Sequence, residues 1–129
     1  MRLLAAAALA ALPQLVLAQA WHGPAEQGVF GQWRNADAAT RSITRVEITE
    51  GPRVRVWGKC HPQDCDWGKP ERAELKRGMV HVRWNHGFAV RQQTARRLES
   101  GLLELVTQTH FTDRSQRRDY TSTEQFTRQ

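Results

Sequence analysis

The chain has 129 residues, of which 40% are hydrophobic and 8% aromatic, and its formal net charge is +6. A chain of this length builds one domain around one core. Its basic residues are dispersed, with only the short doublets Arg96-Arg97 and Arg117-Arg118, and no nucleic-acid-binding motif accompanies them. The composition therefore favours a basic, solvated surface over a nucleic-acid-binding protein.

Residues 1–20 have the pattern of a secretory signal peptide. Arg2 supplies the positive charge, residues 3–12 are an unbroken run of Leu and Ala, and Ala18-Gln19-Ala20 is a small-x-small cleavage site. The apolar run is shorter than the roughly 20 residues that a membrane span requires. We therefore predict an export signal over residues 1–20, no membrane span, and a single domain over residues 21–129 that resides in the periplasm or outside the cell.

The rest of the chain contains no long helical pattern and no internal repeat. Short stretches rich in Val, Ile, Thr and aromatic residues are separated by Gly, Pro, Asn and Asp. Within them, apolar and polar residues alternate with the period of a half-buried strand. We predict about eight strands, over residues 30–34, 43–50, 53–59, 72–76, 79–84, 88–98, 102–111 and 118–128.

These short strands, joined by tight turns, predict an all-β, antiparallel fold. Closure of the sheet would remove exposed edges in a chain with little helix to cover them. Consecutive hairpins also favour pairing between neighbours in the sequence. We therefore predict a small antiparallel up-and-down β-barrel of about eight strands, with a two-sheet β-sandwich as the alternative.

The first predicted strand contains Gly31-Gln32-Trp33, followed by Asn35. This pattern resembles the G-x-W opening of the lipocalins and the G-x-W-x-N opening of the avidins, which are eight-stranded barrels that bind small ligands. The resemblance implies that Trp33 closes the base of a barrel. It also implies that Arg128, in the last strand, stacks on the Trp33 indole. Trp33 as an ordinary core residue is equally compatible with the sequence.

A more specific motif, WGKCHPQDCDWG, occupies residues 57–68. Together with residues 40–48 and 109–113, it resembles a family of small exported bacterial β domains of unestablished activity. The resemblance implies relatives of this chain without implying a particular function.

The two cysteines of the chain, Cys60 and Cys65, lie within that motif. A cysteine pair in an exported chain most often forms a disulfide, here closing a short ring with a chain-entropy contribution of about 2 kcal/mol. The alternative is a metal site, because His61, Asp64 and Asp66 also carry donor atoms, and thiolate and imidazole suit zinc or copper. The cysteine spacing is looser than that of a zinc knuckle. We therefore predict a disulfide, no metal and no cofactor.

Catalytic motifs are missing from the sequence. There is no nucleophile elbow, no zinc-protease helix motif and no phosphate-binding loop. His110, Asp113 and Ser115 supply the residue types of a hydrolytic triad, but such crowding within one segment is typical of side chains that cap a turn. We therefore predict that the protein is not an enzyme.

A binding function is suggested by small or polar residues that we predict to face inward: Thr44, Gly58, Thr94, Thr107, Thr109 and Ser122. A pocket lined with hydroxyl groups and tryptophans suits a small amphipathic ligand or a sugar. We therefore predict a secreted or periplasmic small-ligand-binding protein. The alternative is an interaction module that docks on a protein or a cell-envelope component. The candidate barrel-base and ligand residues are Trp33, Arg128, Trp57, Trp67 and Trp84.

Overall fold

The computed structural model describes residues 28–129, and the regular structure in this part of the chain consists of β-strands. The predicted signal peptide lies outside the described residues, as does the first part of the predicted domain. Residues 28–129 contain no helix with the length and apolarity needed to cross a membrane. The strands are β1 (Gly31–Asn35), β2 (Ile43–Thr49), β3 (Arg53–Gly58), β4 (Cys65–Asp66), β5 (Glu71–Arg72), β6 (Glu74–Lys76), β7 (Met79–Asn85), β8 (Ala89–Arg97), β9 (Leu103–Phe111) and β10 (Tyr120–Arg128).

These strands form one antiparallel sheet in the order β4-β3-β2-β1-β10-β9-β8-β7-β6. β5 lies off this order and pairs with β3. The other neighbours in the sheet follow one another along the chain, except where β1 pairs with β10 and brings Trp33 opposite Arg128. The prediction of an all-β, antiparallel fold is therefore confirmed. The predicted strand over residues 72–76 is divided between β5 and β6, and the short strand β4 adds to the predicted set.

The segment 71–76 joins the two ends of this sheet. β5 pairs with β3 and β6 pairs with β7. Ala73 separates β5 from β6, and its N–H donates to the Pro52 carbonyl at 3.0 Å. Within residues 28–129, β3 and β7 do not pair with each other. β5 pairs only with β3, and β6 pairs only with β7. The sheet is thus antiparallel and continuous, but its ladders do not form the closed ring that we predicted.

The apolar core fills the inner face of the sheet, with Trp33 and Phe126 fully buried. Alternation along each strand directs these side chains to one face, while their charged neighbours face solvent. Burial of such side chains from water supplies the main favourable free energy of folding. The core consists of Val29, Trp33, Ile43, Val46, Ile48, Val54, Val56, Val80, Val82, Trp84, Ala95, Leu103, Leu105 and Phe126.

Interlocking contacts around Trp33 fix the start of β1. The Trp33 indole N–H donates to the Val29 carbonyl at 3.0 Å, and the Arg128 guanidinium carbon lies 4.3 Å from the centroid of the Trp33 ring. The same guanidinium donates to two carbonyl groups of residues 28–30. Gly31 leaves space for it, because a Cβ at that position would lie 2.5 Å from Arg128 Nη1. Arg128 thus joins the end of the last strand to the beginning of the first.

A β-bulge changes which side chains of β2 face inward. The pairing of β2 with β3 shifts between Ile43 and Arg45, so Ile43 is buried as well as Val46. Thr44, which we predicted to face inward, is half-buried and donates to Asp64 Oδ2 at 2.7 Å. The prediction for Thr44 is wrong because an extra residue in the strand reverses its facing.

The predicted facing of β8 is also wrong. Gln93 and Ala95 are buried, whereas Thr94 between them is only half-buried and lies 3.3 Å from His81 Nδ1 on the opposite face. The inner positions of β8 are therefore Ala89, Arg91, Gln93 and Ala95, and Arg91 and Gln93 bring polar groups to the interior.

Candidate ligand-binding cleft

An open cleft of about 510 Å³ lies at the end of the inner face remote from Trp33. Ser122 in its lining stands six residues before Arg128 on β10, which corresponds to roughly 20 Å along the strand. Residues of β2, β3, β4, β8, β9 and β10 contribute to its walls, together with Trp67 and both cysteines. The cleft therefore gathers residues from β4, at one end of the sheet, as far as β8, two strands from the other end.

Polar residues cross β8, β9 and β10 in rows at this end of the inner face. Members of a row lie directly opposite one another on neighbouring strands. The two outermost rows are Arg91–Thr109–Tyr120 and Gln93–Thr107–Ser122, and the next row inward is Ala95–Leu105–Glu124. The inner face thus changes from apolar near Trp33 to polar at the cleft. Gly58, Thr107, Thr109 and Ser122, four of the six small or polar residues predicted to face inward, line the cleft.

A directed chain of hydrogen bonds runs beneath the cleft. The Trp84 indole N–H donates to Gln93 Oε1 at 2.9 Å, and Gln93 Nε2 donates to Thr107 Oγ1 at 3.1 Å. An indole nitrogen can only donate, so Trp84 fixes the orientation of the Gln93 amide. Because Thr107 Oγ1 accepts from that amide, its own proton remains to be donated onward. Trp84 thereby sets the direction of the chain toward the cleft.

Arg91 is held at the cleft by aromatic side chains. One of its guanidinium nitrogens lies 2.7 Å from His86 Nδ1, and its guanidinium carbon lies 5.3 Å from the Trp67 ring centroid. The His86 and Trp67 rings meet edge-on, with centroids 4.8 Å apart. Burial lowers the pKa of His86 below its ordinary value of 6.5, and the charge of Arg91 lowers it further. Neutral His86 can accept at Nδ1, which places its proton on Nε2.

The Thr109 hydroxyl is buried in the lining of the cleft without a partner. Thr109 is 2% exposed, and its Oγ1 has no hydrogen-bond partner among the described residues. Its neighbours across the ladders, Arg91 and Tyr120, also line the cleft. A buried hydroxyl in this state costs about 1–3 kcal/mol, so a bound molecule that supplied the missing bond would be stabilised here.

Trp67 and the disulfide form another wall of the cleft. Cys60 and Cys65 are bonded, with their Cα atoms 5.4 Å apart, which confirms the predicted disulfide. Cys65 pairs with Gly58, and the Trp67 backbone N–H donates to the Val56 carbonyl at 2.9 Å. A Cβ on Gly58 would lie 3.2 Å from Trp67 Nε1, so the glycine leaves space for the indole.

The structure separates the predicted ligand residues into three places. Trp67 lines the cleft, and Trp84 is buried next to it, with ring centroids 5.5 Å apart. Trp33 and Arg128 lie at the other end of the inner face, and neither of them lines the cleft. Trp57 lies on the outer face. Of the tryptophans expected to line a pocket, Trp67 lines the cleft and Trp84 lies beneath it.

On the outer face, Trp57 is covered by two guanidinium groups. The guanidinium carbons of Arg45 and Arg55 lie 4.0 Å and 4.6 Å from its ring centroid. Arg55 also forms an ion pair with Asp66 at 2.6 Å. The backbone N–H of Gly68 lowers the pKa of the Asp66 carboxyl, and Arg55 lowers it further. These contacts hold the segment that follows the disulfide against β3.

The residues of the alternative metal site and of the hydrolytic triad do not come together as those sites would require. Within residues 28–129, no three His, Cys, Asp or Glu side chains are grouped as a metal site. His110 Nδ1 lies 2.8 Å from Asp119, whereas the Ser115 hydroxyl donates to Asp113 at 2.6 Å. Arg117 donates to both Asp113 and Ser115, so these side chains cap a turn.

A second depression, of about 450 Å³, lies between residues 72–74 and the strands β7, β8 and β9. Its lining includes the buried Val82 and Gln93, and the Gln93 amide is already bonded to Trp84 and Thr107. His81, Gln92, Thr94 and Gln108 contribute to its walls. All four are half-buried or exposed, so water can satisfy their polar groups, and Trp67 and the unpartnered Thr109 hydroxyl lie outside it. The cleft is therefore the better candidate for a ligand site.

Arg91 and Gln93 are not among the ligand residues predicted from the sequence. The available signal was the parity of β8, on which Ala89 and Ala95 share a face with Arg91 and Gln93. Comparison of the chain with known protein families, curated proteins and solved structures finds no match. The candidate function therefore depends on the geometry of the cleft.

Proposed function

We propose that the protein is a non-enzymatic small-molecule-binding protein whose ligand occupies the cleft. The observation that carries this proposal is Thr109, a residue of the cleft lining whose buried hydroxyl lacks a partner among the described residues. A fold this small gains stability by satisfying its buried polar groups, and a ligand acceptor would satisfy this one. Trp67, which also lines the cleft, offers a flat apolar surface, and this combination is typical of small-ligand sites.

The proposal includes a barrel-like enclosure in which the segment 71–76 is a short closing strand. It is supported by the pairing of β5 with β3 and of β6 with β7. The Trp33 end would then be filled by side chains and the opposite end open, an arrangement in which a small barrel holds one small ligand. This is the architecture that the G-x-W pattern implies.

We propose further that the protein acts in the periplasm or outside the cell. The Cys60–Cys65 bond supports this location, because structural disulfides persist in oxidising compartments. The signal-peptide pattern of residues 1–20 is consistent with the same route.

The second candidate function is an interaction module for a protein or cell-envelope partner. It is favoured by two exposed aromatic side chains, Phe88 at 42% and Tyr120 at 50% exposure. An interaction module predicts that a small aromatic probe has no specific site, and the following experiment distinguishes the two functions.

The test is titration of the mature protein with the neutral fluorescent probe phenylnaphthylamine. We expect saturable binding that Trp67→Ala weakens roughly tenfold, because loss of about 60 Å² of apolar contact is worth about 1.5 kcal/mol. Trp57→Ala is the matched control, since Trp57 lies on the outer face, and it should bind like the wild type. Absence of saturable binding, or equal losses in the two variants, would refute a ligand site in the cleft.

A further inference from the structure

We propose that the ligand of the cleft is a small organic anion, whose anionic group binds Arg91 and the Thr109 hydroxyl while its apolar body contacts Trp67. This inference rests on the proposed function and adds the chemical class of the ligand. It follows from the charge of the lining, the direction of its hydrogen bonds and the position of the Trp67 ring.

The charge of the cleft is positive. Arg41, Lys59 and Arg91 line it, and none of the described residues in its lining is Asp or Glu. Arg91 forms no ion pair with any carboxylate of residues 28–129. A guanidinium keeps its charge at every relevant pH, and a cleft with low-dielectric walls concentrates the field of such a charge. An anion would therefore be attracted to Arg91.

The hydrogen-bonding groups of the lining are mainly donors. The chain from Trp84 through Gln93 leaves the Thr107 hydroxyl with a proton to donate. The Thr109 hydroxyl, two residues further along the same face of β9, is buried and unpartnered. Arg91 adds guanidinium donors opposite Thr109 in the ladder. The Thr109 hydroxyl can donate as well as accept, so a ligand that presents acceptors can bond to all three groups, and a carboxylate or sulfonate presents several acceptors in one group.

His86 orients Arg91 without neutralising it. Its Nδ1 lies 2.7 Å from one Arg91 nitrogen, and an imidazole that accepts there is neutral. The bond uses one of the five N–H groups of the guanidinium, so others remain for a ligand. Trp67 and Phe88 lie within 5.3 Å and 5.4 Å of the guanidinium carbon and restrict its movement.

The carboxylate of the next row, Glu124, does not take the place of the anion. Asn35 Nδ2 donates to its Oε1 at 3.0 Å, and Ser42 Oγ donates to its Oε2 at 3.2 Å. Both carboxylate oxygens are thus engaged by uncharged donors. Glu124 lies outside the lining of the cleft, although Ser42, which donates to it, is part of that lining.

The apolar body of the ligand would lie against Trp67. This indole lines the cleft together with Ile43 and the Cys60–Cys65 bridge. Its edge-on contacts with Trp84 and His86 fix the plane of the ring. A rigid aromatic surface next to a cation selects a molecule that carries a flat or aliphatic body beside its charge.

The test compares two probes that differ in charge, anilinonaphthalene sulfonate and neutral phenylnaphthylamine. We expect Arg91→Gln to weaken binding of the sulfonate about tenfold, because hydrogen bonds to a charged group are worth about 1.5–3 kcal/mol, and to change binding of the neutral probe little. Affinity for the sulfonate should also fall as salt is added. Arg53→Gln, an exposed arginine on the outer face, is the matched control.

Two further variants test the assignment should Arg91→Gln not fold. Arg91→Lys should keep more affinity for the sulfonate than any neutral replacement, and Thr109→Val should weaken sulfonate binding while leaving the fold as stable or more stable. Equal effects on both probes would overturn the anion assignment and leave the binding function standing. If neither probe binds the wild type, the proposed function itself fails.

Discussion

Burial raises the pKa of the Glu124 carboxyl above its ordinary value of 4.5, although the hydroxyl of Ser42 and the amide of Asn35 partly offset the shift. The residue lies on the inner face, opposite Leu105. In the unfolded chain the carboxyl ionises near 4.5, so between that pH and the higher pKa of the folded state the folded chain binds more protons. The contribution of Glu124 to the unfolding free energy therefore falls as pH rises through this interval.

Glu124→Gln should remove this pH dependence. We expect the unfolding free energy of the variant, minus that of the wild type, to increase as pH rises above 4.5 and then to level off. Urea unfolding followed by tryptophan fluorescence, from about pH 4 to about pH 8, measures the difference. The exposed Glu99→Gln serves as the control. A difference that is independent of pH would show that the Glu124 carboxyl titrates as it does in the unfolded chain.

At the scale of elements, the disulfide compensates for the shortness of β4. Only two residue pairs, Trp57↔Asp66 and Gly58↔Cys65, join β4 to β3. The bridge therefore holds a segment that its own ladder would hold weakly, and that segment leads directly to Trp67 in the cleft. Hydrogen bonds from Thr44 to Asp64 and from Arg55 to Asp66 assist it.

Replacing both cysteines, as Cys60→Ser with Cys65→Ser, should lower the unfolding free energy by about 2 kcal/mol through the added entropy of the unfolded chain. Urea unfolding measures this change, and the wild type under reducing conditions should reproduce it. Because Trp67 follows the bridge, we also expect weaker binding of phenylnaphthylamine. Unchanged stability in both the variant and the reduced wild type would mean that the ladder and hydrogen bonds hold β4 unaided.

At the scale of the whole molecule, the segment 71–76 connects the two ends of the sheet. It covers part of the edges of β3 and β7, which would otherwise expose unpaired backbone groups. The partly buried Ala73 packs against the core at the change of partner. This connection links β3 and β7, which are far apart in the sheet order.

Ala73→Pro should disrupt this connection, because proline removes the N–H that donates to the Pro52 carbonyl. We expect faster amide hydrogen exchange in β3 and β7, with β9 and β10 remaining protected. Ala73→Ser keeps the N–H and should exchange like the wild type. Faster exchange throughout the sheet would indicate general destabilisation, and unchanged exchange would show that the segment contributes nothing to the edges.

The sequence by itself determined the antiparallel β architecture, the approximate strand positions and the Cys60–Cys65 bond. Each depends on local information: turn residues, a period of two along the strand, and a cysteine pair without competitors. It also predicted that Thr107 and Thr109 face inward, where the structure has them, and it included Trp67, which lines the cleft.

Only the tertiary structure decided which faces of β2 and β8 are inside, and hence the composition of the cleft. A bulge before Arg45 turns the Thr44 side chain away from the inner face. In β8 the inward-facing residue is Gln93, one position before the predicted Thr94. In β8 neither face is clearly apolar, because Ala89 and Ala95 compete with Val90. Pairing with β7 and β9 resolves that ambiguity, since burial against Leu105 and Val80 favours the small alanine side and brings Arg91 to the cleft.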